Sequence, residues 1–459
     1  MKALVALSLL GVITLLAEIF RFKKYLFLIV LSGLLGTIYF VISEWGYDNT
    51  YLRMMHMDSY AIAFSVVILS TAFLWFLMSR DEYSGKTHIT DHYGLILFSL
   101  VGAIVMASYS NLTMLFLGIE ILSIPVYVLA GSHKEDLASN ESAMKYFLMG
   151  SFATGFLLFG IALIYGTTGS FDINTIGNHI RENHNNLLGL FYGGLILVLA
   201  GLAFKVSAAP FHFWTPDVYK GAPTVVTAYM ATIVKTAAFA AILRLFCVCF
   251  SFVSNQWQMI VWGMCALSLM IGNITAVYQS GTKRMLAYSS ISHAGFMMMA
   301  ILAMNQFSGK AIFYYTAAYS IASIAAFTVL NKIMATKGND ETISFNGLVK
   351  SNPLMAFAMT LSLLSMAGIP PLAGFFAKYY IFTSVLNSGF VWLVIIALIG
   401  SLVGVYYYFR IIIAMYFKEA KENAVIETSL LFKVVLIITS VLLLLLGLFP
   451  QLVMGWLYL

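Results

Sequence analysis

The sequence predicts an all-α integral membrane protein of about fourteen transmembrane helices, and both its composition and the spacing of its apolar runs support this. Of the 459 residues, 61% are hydrophobic and 10% are charged, whereas about 25% are charged in an ordinary soluble domain. Apolar runs of roughly 20 residues recur along the chain, the length at which a helix crosses a bilayer core of about 30 Å. Because the runs are continuous rather than alternating, they favour helices over a transmembrane barrel.

Charges, proline, glycine and polar clusters divide the chain into fourteen predicted spans. Together these spans form one predicted membrane domain, 1–459. The first run follows a single charge, Lys2, and precedes no small-residue cleavage pattern, so it is predicted to be a retained helix rather than a signal peptide. Three helices form the N-terminal part, 1–91, and one helix forms the C-terminal part, 430–459. The predicted spans are 3–20, 25–43, 59–78, 92–109, 112–131, 143–166, 189–218, 224–249, 257–278, 286–304, 311–334, 354–386, 391–416 and 430–457.

Positive charge in alternate loops predicts the orientation. Loops after even-numbered helices contain little beyond Arg53, Arg181 and Lys310. Both termini are therefore predicted to lie outside the cytoplasm, as an even number of helices requires. The net charge of +6 is scattered over short loops and does not indicate a nucleic-acid partner. The residues predicted to face the cytoplasm are Arg21, Lys23, Lys24, Arg80, Lys86, Lys134, Lys220, Lys283, Arg284, Lys337, Lys350, Lys418 and Lys421.

Two predicted spans, helices 7 and 12, are unusually long and contain proline. Helix 7 includes FKVSAAPFHFWTPD, with breaks predicted at Pro210 and Pro216. Helix 12 includes SMAGIPPLAGFFAKYYIF, with breaks predicted at Gly368, Pro370 and Pro371. Backbone groups freed by proline survive at membrane depth only where protein or a water-filled cavity satisfies them. Paired interruptions in corresponding places predict inverted repeats around a transport site.

The spacing of charged residues also suggests a repeat. Lys205 and Lys378 are 173 residues apart, and so are Glu120 and His293. Since each unit would contain five helices, the second would begin from the opposite side of the membrane. The predicted repeats are helices 4–8, at 92–249, and helices 9–13, at 257–416.

Four charged residues fall near the centres of predicted spans: Glu120, Lys205, Lys235 and Lys378. Each costs on the order of 3 kcal/mol on insertion scales, and together they cost on the order of 10 kcal/mol unless paired or hydrated. Structural ion pairs are the simpler explanation, but three lysines cannot all be neutralised by one carboxylate. Lysine suits proton transfer because burial lowers the pKa of an ammonium group towards neutrality.

Three further residues are weaker candidates. Lys145 lies in the first turn of helix 6, where a lysine commonly snorkels to the surface. His212 and His293 lie between the charged helices in chain order and can either satisfy a neighbour or relay a proton. The cysteines have no metal-ligand spacing, and the sequence contains no phosphate-binding loop or nucleophile triad. No metal is therefore expected.

At these positions the sequence resembles the antiporter-like subunits of NADH:quinone oxidoreductase (respiratory complex I), a family that includes subunits of multisubunit Na⁺/H⁺ antiporters. The resemblance covers helices 4 to 13 and rests on APFHFWTPDVYKGAPT, KRMLAYSSISHAGF and GIPPLAGFFAKYYIF. Three features make the chain similar to one of the shorter subunits of this family. The chain is short, no long lateral helix follows helix 14, and the charged residue of helix 12 is the lysine of GFFAK. One departure is GAPTVVT, where the family commonly has proline in place of the first valine.

The resemblance implies a role for each candidate. Glu120 would pair with Lys205, Lys145 would modulate that pair, Lys235 would be the central relay, and Lys378 would release protons outward. His212 and His293 would be bridging groups. The chain would carry no cofactor, whereas NADH, FMN, iron–sulfur clusters and a quinone would bind other subunits. Its partners would be other membrane subunits of the complex, including further antiporter-like subunits, and the lipid of a bacterial inner membrane.

Several alternatives remain open from the sequence. The chain could belong to a stand-alone Na⁺/H⁺ antiporter, since nothing in the buried charges excludes that function. It could instead be a structural subunit whose charges form ion pairs for assembly. Hydrogenase-linked and photosynthetic relatives of complex I are a third possibility.

Overall fold

The structure is a computed structural model built almost entirely of helices, and it describes 1–84, 88–183, 187–419 and 425–456. Lys86, Lys421 and the end of the last predicted span lie outside the described residues. The helices are α1 (Lys2–Ile19), α2 (Leu26–Ser43), α3 (Ser59–Tyr83), α4 (Ile89–Ser108), α5 (Leu112–Ala130), α6 (Leu137–Thr168), α7 (Ile173–Asn183), α8 (Gly189–Val206), α9 (Trp214–Gly221), α10 (Thr224–Tyr229), α11 (Lys235–Val248), α12 (Ser254–Val277), α13 (Thr282–Ala303), α14 (Ser308–Lys337), α15 (Leu348–Ser351), α16 (Pro353–Ala367), α17 (Ala373–Asn387), α18 (Val391–Phe417), α19 (Leu430–Leu448) and α20 (Gln451–Met454).

The prediction of about fourteen spans is confirmed. Within the described residues, thirteen helical segments are long and apolar enough to cross a membrane. The fourteenth span is the pair α16 and α17, which a short segment separates. Predicted helix 7 is likewise divided into α8 and α9, so both expected interruptions are present. Helices α10 and α11 form one continuous span through a π turn, Met230–Val234.

Each interruption begins with a residue in the left-handed conformation that ends a helix. Ser207 ends α8 with φ of 64°, and Gly368 ends α16 with φ of 87°. Pro210, Pro370 and Pro371 lie in the segments that follow. Pro216 is different: it lies in the first turn of α9, where a helix tolerates proline. The expectation that Pro216 interrupts a helix is therefore wrong.

Two small elements were not predicted. Strands β1 (Asn49–Tyr51) and β2 (Met55–Met57) form an antiparallel hairpin before α3. Helix α7 is too short to span a membrane, and it buries Ile173, Ile176 and Ile180 on one face. That spacing is typical of a surface helix packed on a core, so the pattern was present in the sequence.

Similar backbone contacts occur in the two predicted repeats, although corresponding residues are not separated by a constant number of positions. The Leu112 backbone N–H donates to the Phe171 carbonyl at 2.8 Å, and Thr282 donates to Asp340 in the same way, also at 2.8 Å. Leu112 and Thr282 are 170 residues apart, whereas the helix-ending residues Ser207 and Gly368 are 161 apart. The register is not constant because the connecting segments differ in length.

The helices that carry the candidate residues form the centre of the molecule. In the apolar windows of α13 and α14, 94% of the residues are buried, and the span containing α10 and α11 is 89% buried. Helices α1, α2 and α6 instead expose apolar side chains over most of their length. This packing places most of the candidate residues away from lipid.

Candidate proton-transfer site

Lys205 is held by a hydroxyl and two aromatic rings. It is the penultimate residue of α8 and is only 4% exposed. Its Nζ donates a hydrogen bond to the Ser123 Oγ on α5, and it lies 5.5 Å from the ring centroid of Tyr127 and 5.9 Å from that of Tyr146. Aromatic faces attract a nearby cation, so these rings partly compensate for the loss of water around the ammonium group.

Glu120 does not form a direct ion pair with Lys205 in the described structure. The carboxylate is half-buried on α5, and its Oε1 is buried without a hydrogen-bond partner among the described residues. The Lys205 ammonium is instead directed to Ser123, one helical turn beyond Glu120. The expected direct pairing is therefore not present, although both groups adjoin the same stretch of α5.

Lys145 is neither free nor paired with Glu120. Its Nζ lies 2.7 Å from the Asp217 Oδ2 on α9 and 2.7 Å from the Glu141 Oε1, one turn earlier on α6. The other oxygen of Asp217 lies 3.5 Å from a guanidinium nitrogen of Arg284 on α13. Asp217 was not predicted as a site residue. The sequence offered only its position just after the break, in WTPD.

Lys235 lies at the point where the π turn of Met230–Val234 meets α11. It is only 2% exposed, and its Nζ donates to both the carbonyl and the hydroxyl of Ser290 on α13. Single π turns inside α-helices occur often at functional sites. No carboxylate neutralises this lysine among the described ion pairs.

His293 links two tyrosines on different helices. Its Nδ1 lies 2.7 Å from the Tyr315 hydroxyl on α14, and its Nε2 lies 3.1 Å from the Tyr408 hydroxyl on α18. The Tyr408 hydroxyl also bonds to Ser289. Since the imidazole is bonded through both nitrogens, its ring is held in a fixed orientation.

Lys378 lies near the first turn of α17 and is 8% exposed. Its Nζ donates to the Ala367 carbonyl at 2.8 Å and to the Ser401 Oγ at 2.6 Å. It also lies 4.9 Å from the ring centroid of Phe296 on α13. The Ala367 carbonyl is left unpaired at the end of α16, so the broken helix itself supplies a partner for the ammonium group.

One face of α13 leads from Lys235 towards Lys378. Ser290, which bonds Lys235, is followed one turn later by His293 and one turn after that by Phe296, which contacts Lys378. His293 and Lys378 also line one small cavity, in which the space for water centres is about 10 Å³. This is near the lower limit for one water molecule.

The path between Lys205 and Lys235 is less continuous. Among the described residues, no chain of hydrogen bonds joins the two lysines. His212 is buried in the segment between α8 and α9, and its Nδ1 has no hydrogen-bond partner within the described part of the chain. The backbone of that segment is held by the Ser268 Oγ, which accepts from the Ala209 N–H at 2.8 Å.

No group of three or more His, Cys, Asp or Glu side chains could hold a metal ion within the described ranges. The charged residues of the site are instead contacted by hydroxyls, carbonyls and aromatic rings.

Comparison with known proteins identifies the family. A family profile described as "NADH:quinone oxidoreductase/Mrp antiporter, TM" matches residues 109–404. The chain belongs to this family. Curated proteins named NADH-quinone oxidoreductase subunit N are 45% identical in Cytophaga hutchinsonii and 43% identical in Flavobacterium psychrophilum, with 99% of each chain covered. The names of these relatives confirm the prediction that, among the antiporter-like subunits, the chain resembles subunit N.

Solved structures of related subunits share the fold. A chain of respiratory complex I from Thermus thermophilus with bound aureothin aligns with a TM-score of 0.84 at 32% identity, covering 99% of this chain and 98% of that one. A chain of the Mrp complex from Dietzia sp. aligns with a TM-score of 0.85 at 21% identity, covering 99% and 96%. The second likeness concerns the fold alone. The family match and the apolar helices make this a multi-pass membrane protein.

Proposed function

We propose that this chain is a proton-translocating membrane subunit of an NADH:quinone oxidoreductase. The observation that carries the proposal is the set of three buried lysines, Lys205, Lys235 and Lys378, bonded to neutral oxygens. A buried ammonium group without a paired carboxylate is costly, and such a group can give up its proton when its surroundings change. The names of the full-length relatives from Cytophaga and Flavobacterium support the same assignment.

In the proposed mechanism, Glu120 and Lys205 act as a switch. A charge rearrangement driven by quinone reduction elsewhere in the complex changes the distance between the carboxylate and the ammonium. When the two groups move apart, loss of the Lys205 proton is favoured. When Glu120 approaches, it favours the charged lysine.

The remaining residues complete the relay. His212 and water bridge Lys205 to Lys235, and the α13 face with His293 connects Lys235 to Lys378. Lys378 then releases the proton outward, against a membrane potential worth about 2.3 kcal/mol per charge per 100 mV. Lys145 modulates the first step.

The other parts of the enzyme lie on partner subunits. This chain supplies proton transfer and no redox centre, whereas NADH, FMN, iron–sulfur clusters and a quinone bind elsewhere in the complex. The chain lies in a bacterial inner membrane beside further antiporter-like subunits. Both of its termini face the non-cytoplasmic side, in agreement with the distribution of basic residues.

Glu120→Ala and Lys205→Ala variants of the assembled complex test the proposal. Loss of a proton-transfer group typically slows its step by about 10²–10⁴-fold, so both variants are expected to lower the number of protons pumped per electron. Proton uptake and quinone reduction are measured together in membrane vesicles. A Glu182→Gln variant is the control, because Glu182 is an exposed residue near the end of α7. Unchanged proton-to-electron ratios in both alanine variants would refute the proposal.

Two alternative functions make different predictions. A subunit of a stand-alone antiporter would exchange Na⁺ for protons in vesicles without any quinone reduction. A structural subunit would retain assembly and pumping when Glu120 and Lys205 are exchanged with each other, because an ion pair for assembly is preserved by that exchange. If the proposed relay is correct, the complex with Glu120 and Lys205 exchanged no longer pumps protons through this subunit.

A further inference from the structure

A second carboxylate, Asp217, connects three helices around the broken span. Asp217 lies in the first turn of α9 and is about half-exposed, with 42% of its side chain accessible. One carboxylate oxygen contacts Lys145 of α6, and the other lies within 3.5 Å of Arg284 of α13. Since α6 belongs to the first repeat and α13 to the second, the contact joins the two halves of the molecule.

Other bonds hold the same short helix from both sides. The Ser142 hydroxyl of α6 donates to the Val218 carbonyl of α9 at 3.0 Å. The Lys283 ammonium of α13 donates to the Lys220 carbonyl at 3.3 Å and also to the Ala222 carbonyl. Helix α9 is only eight residues long, so its position depends on these attachments rather than on its own stability.

The position of α9 relative to α6 determines the surroundings of Lys205. Tyr146, the residue after Lys145, stacks on Trp214 at the start of α9, with ring centroids 4.6 Å apart and planes inclined by 7°. The Lys205 ammonium lies 5.9 Å from the centroid of the same Tyr146 ring. The Lys145–Asp217 pair and the Tyr146–Trp214 stack are therefore two adjacent attachments between the same helices.

The repeat gives Asp217 a counterpart. Asp217 lies ten residues after Ser207, the left-handed end of α8, and Lys378 lies ten residues after Gly368, the left-handed end of α16. Counted from the starts of α9 and α17, the two positions differ by two residues. The half-helix after each break thus presents a charged side chain at a similar position.

We propose that Asp217 is a positioning residue for proton transfer at Lys205. By binding Lys145 and Arg284, it holds α9 against α6 and α13 and so fixes the Tyr146 ring, which stacks on Trp214, beside the Lys205 ammonium. This inference rests on the proposed function, because it concerns the first step of the same relay. Lys145 acts in it through Asp217 rather than by direct competition for Glu120.

The test is an Asp217→Asn variant in the complete complex. Asparagine keeps the size of the side chain but removes its charge, so the cross-helix ion pair is lost. Protons pumped per electron are expected to fall by about two- to fivefold, the size that corresponds to loss of a partly exposed ion pair. An Asp217→Glu variant is expected to restore most of the pumping, because it keeps the charge.

The matched control is Glu141→Gln. Glu141 also lies 2.7 Å from the Lys145 Nζ, but it belongs to α6 itself and forms no ion pair with a second helix in the part of the chain that the structure describes, so pumping is expected to remain unchanged. A Lys145→Gln/Asp217→Asn double variant should be no worse than Asp217→Asn alone, since Asp217→Asn already removes the contact between the two side chains. If Asp217→Asn prevents assembly of the complex, the expected fall in protons pumped per electron is measured in the Lys145→Gln variant instead.

Two results would overturn the inference. One is normal pumping in both Asp217→Asn and Lys145→Gln. The other is equal losses in Asp217→Asn, Asp217→Glu and Glu141→Gln, which would indicate general disturbance of the surface. In either case the losses expected for Glu120→Ala and Lys205→Ala still decide the proposed function separately.

Discussion

At the scale of single residues, the three buried lysines of the proposed relay are accommodated by neutral partners. Lys205 uses a serine hydroxyl and aromatic rings, Lys235 uses Ser290, and Lys378 uses a helix-ending carbonyl and Ser401. Such partners stabilise an ammonium group less than a carboxylate does. Each lysine therefore remains able to exchange its proton without first breaking a strong ion pair.

Gly368 is expected to be required for the geometry of Lys378. Its φ is 87°, and a Cβ at this position would lie 2.8 Å from the Lys378 Cδ. Gly368→Ala adds backbone strain of about 1–3 kcal/mol and pushes the lysine away from the Ala367 carbonyl. Pumping by the assembled complex, measured per electron, is expected to fall.

Gly389→Ala separates backbone strain from the contact with lysine. Gly389 has a φ of 85°, but a Cβ there would meet no atom within 4 Å. This variant carries a similar conformational cost and should pump normally. Equal pumping by the Gly368→Ala and Gly389→Ala complexes would argue against a positional role for the glycine.

At the scale of elements, α13 provides the contacts of the second half of the relay. Ser290, His293 and Phe296 recur at every turn of one face, and α13 is almost wholly buried. A helix fixes the spacing of such side chains more rigidly than a loop does. The distances between successive proton positions therefore depend on the straightness of this helix.

Tyr408→Phe is expected to weaken proton transfer between Lys235 and Lys378. The change removes only the hydroxyl that bonds His293 and Ser289, and loss of one such hydrogen bond corresponds to roughly a two- to tenfold effect. Protons pumped per electron in vesicles measure it. Tyr314→Phe is the control, because the buried Tyr314 hydroxyl bonds the Leu446 carbonyl; a similar loss in both variants would contradict a specific effect.

Hydropathy predicted much of this arrangement, because charge at membrane depth is rare and conspicuous. The fourteen spans, both broken helices and the buried positions of Lys205, Lys235 and Lys378 followed from it. The contact of Asp217 with Lys145 could not be predicted from hydropathy. A half-exposed carboxylate after a proline is typical of a solvated turn, and Lys145 is 72 residues away in the sequence. The π turn before Lys235 has no comparable sequence signal. The 173-residue spacing of the charged pairs does not extend to the helix-ending residues Ser207 and Gly368, which are 161 residues apart.

At the scale of the whole molecule, the chain combines a buried centre with an apolar exterior. In the two predicted repeats of five spans, the broken helices occupy corresponding places in chain order, and an odd number of spans would reverse the second repeat relative to the first. Water paths that open from opposite sides are the expected consequence of this arrangement.

The orientation of the whole chain can be tested with cysteine labelling. Positions 134 and 182 are both exposed and are predicted to lie on opposite sides of the membrane. After replacement of the exposed Cys247 by serine, Lys134→Cys should react with a membrane-impermeant maleimide in inverted vesicles, and Glu182→Cys in right-side-out vesicles. The reverse pattern would contradict the predicted placement of the termini.

The small cavity between His293 and Lys378 bears on electrical leakage. A permanently continuous water column through the subunit would let protons return down their gradient and dissipate the membrane voltage. A space of about 10 Å³ is near the lower limit for one water molecule, so the cavity between His293 and Lys378 holds no continuous water column in the state described by the structure. Proton transfer through this cavity then requires the surrounding side chains to move and admit further water. While they do not move, the small volume of the cavity limits the return of protons down their gradient.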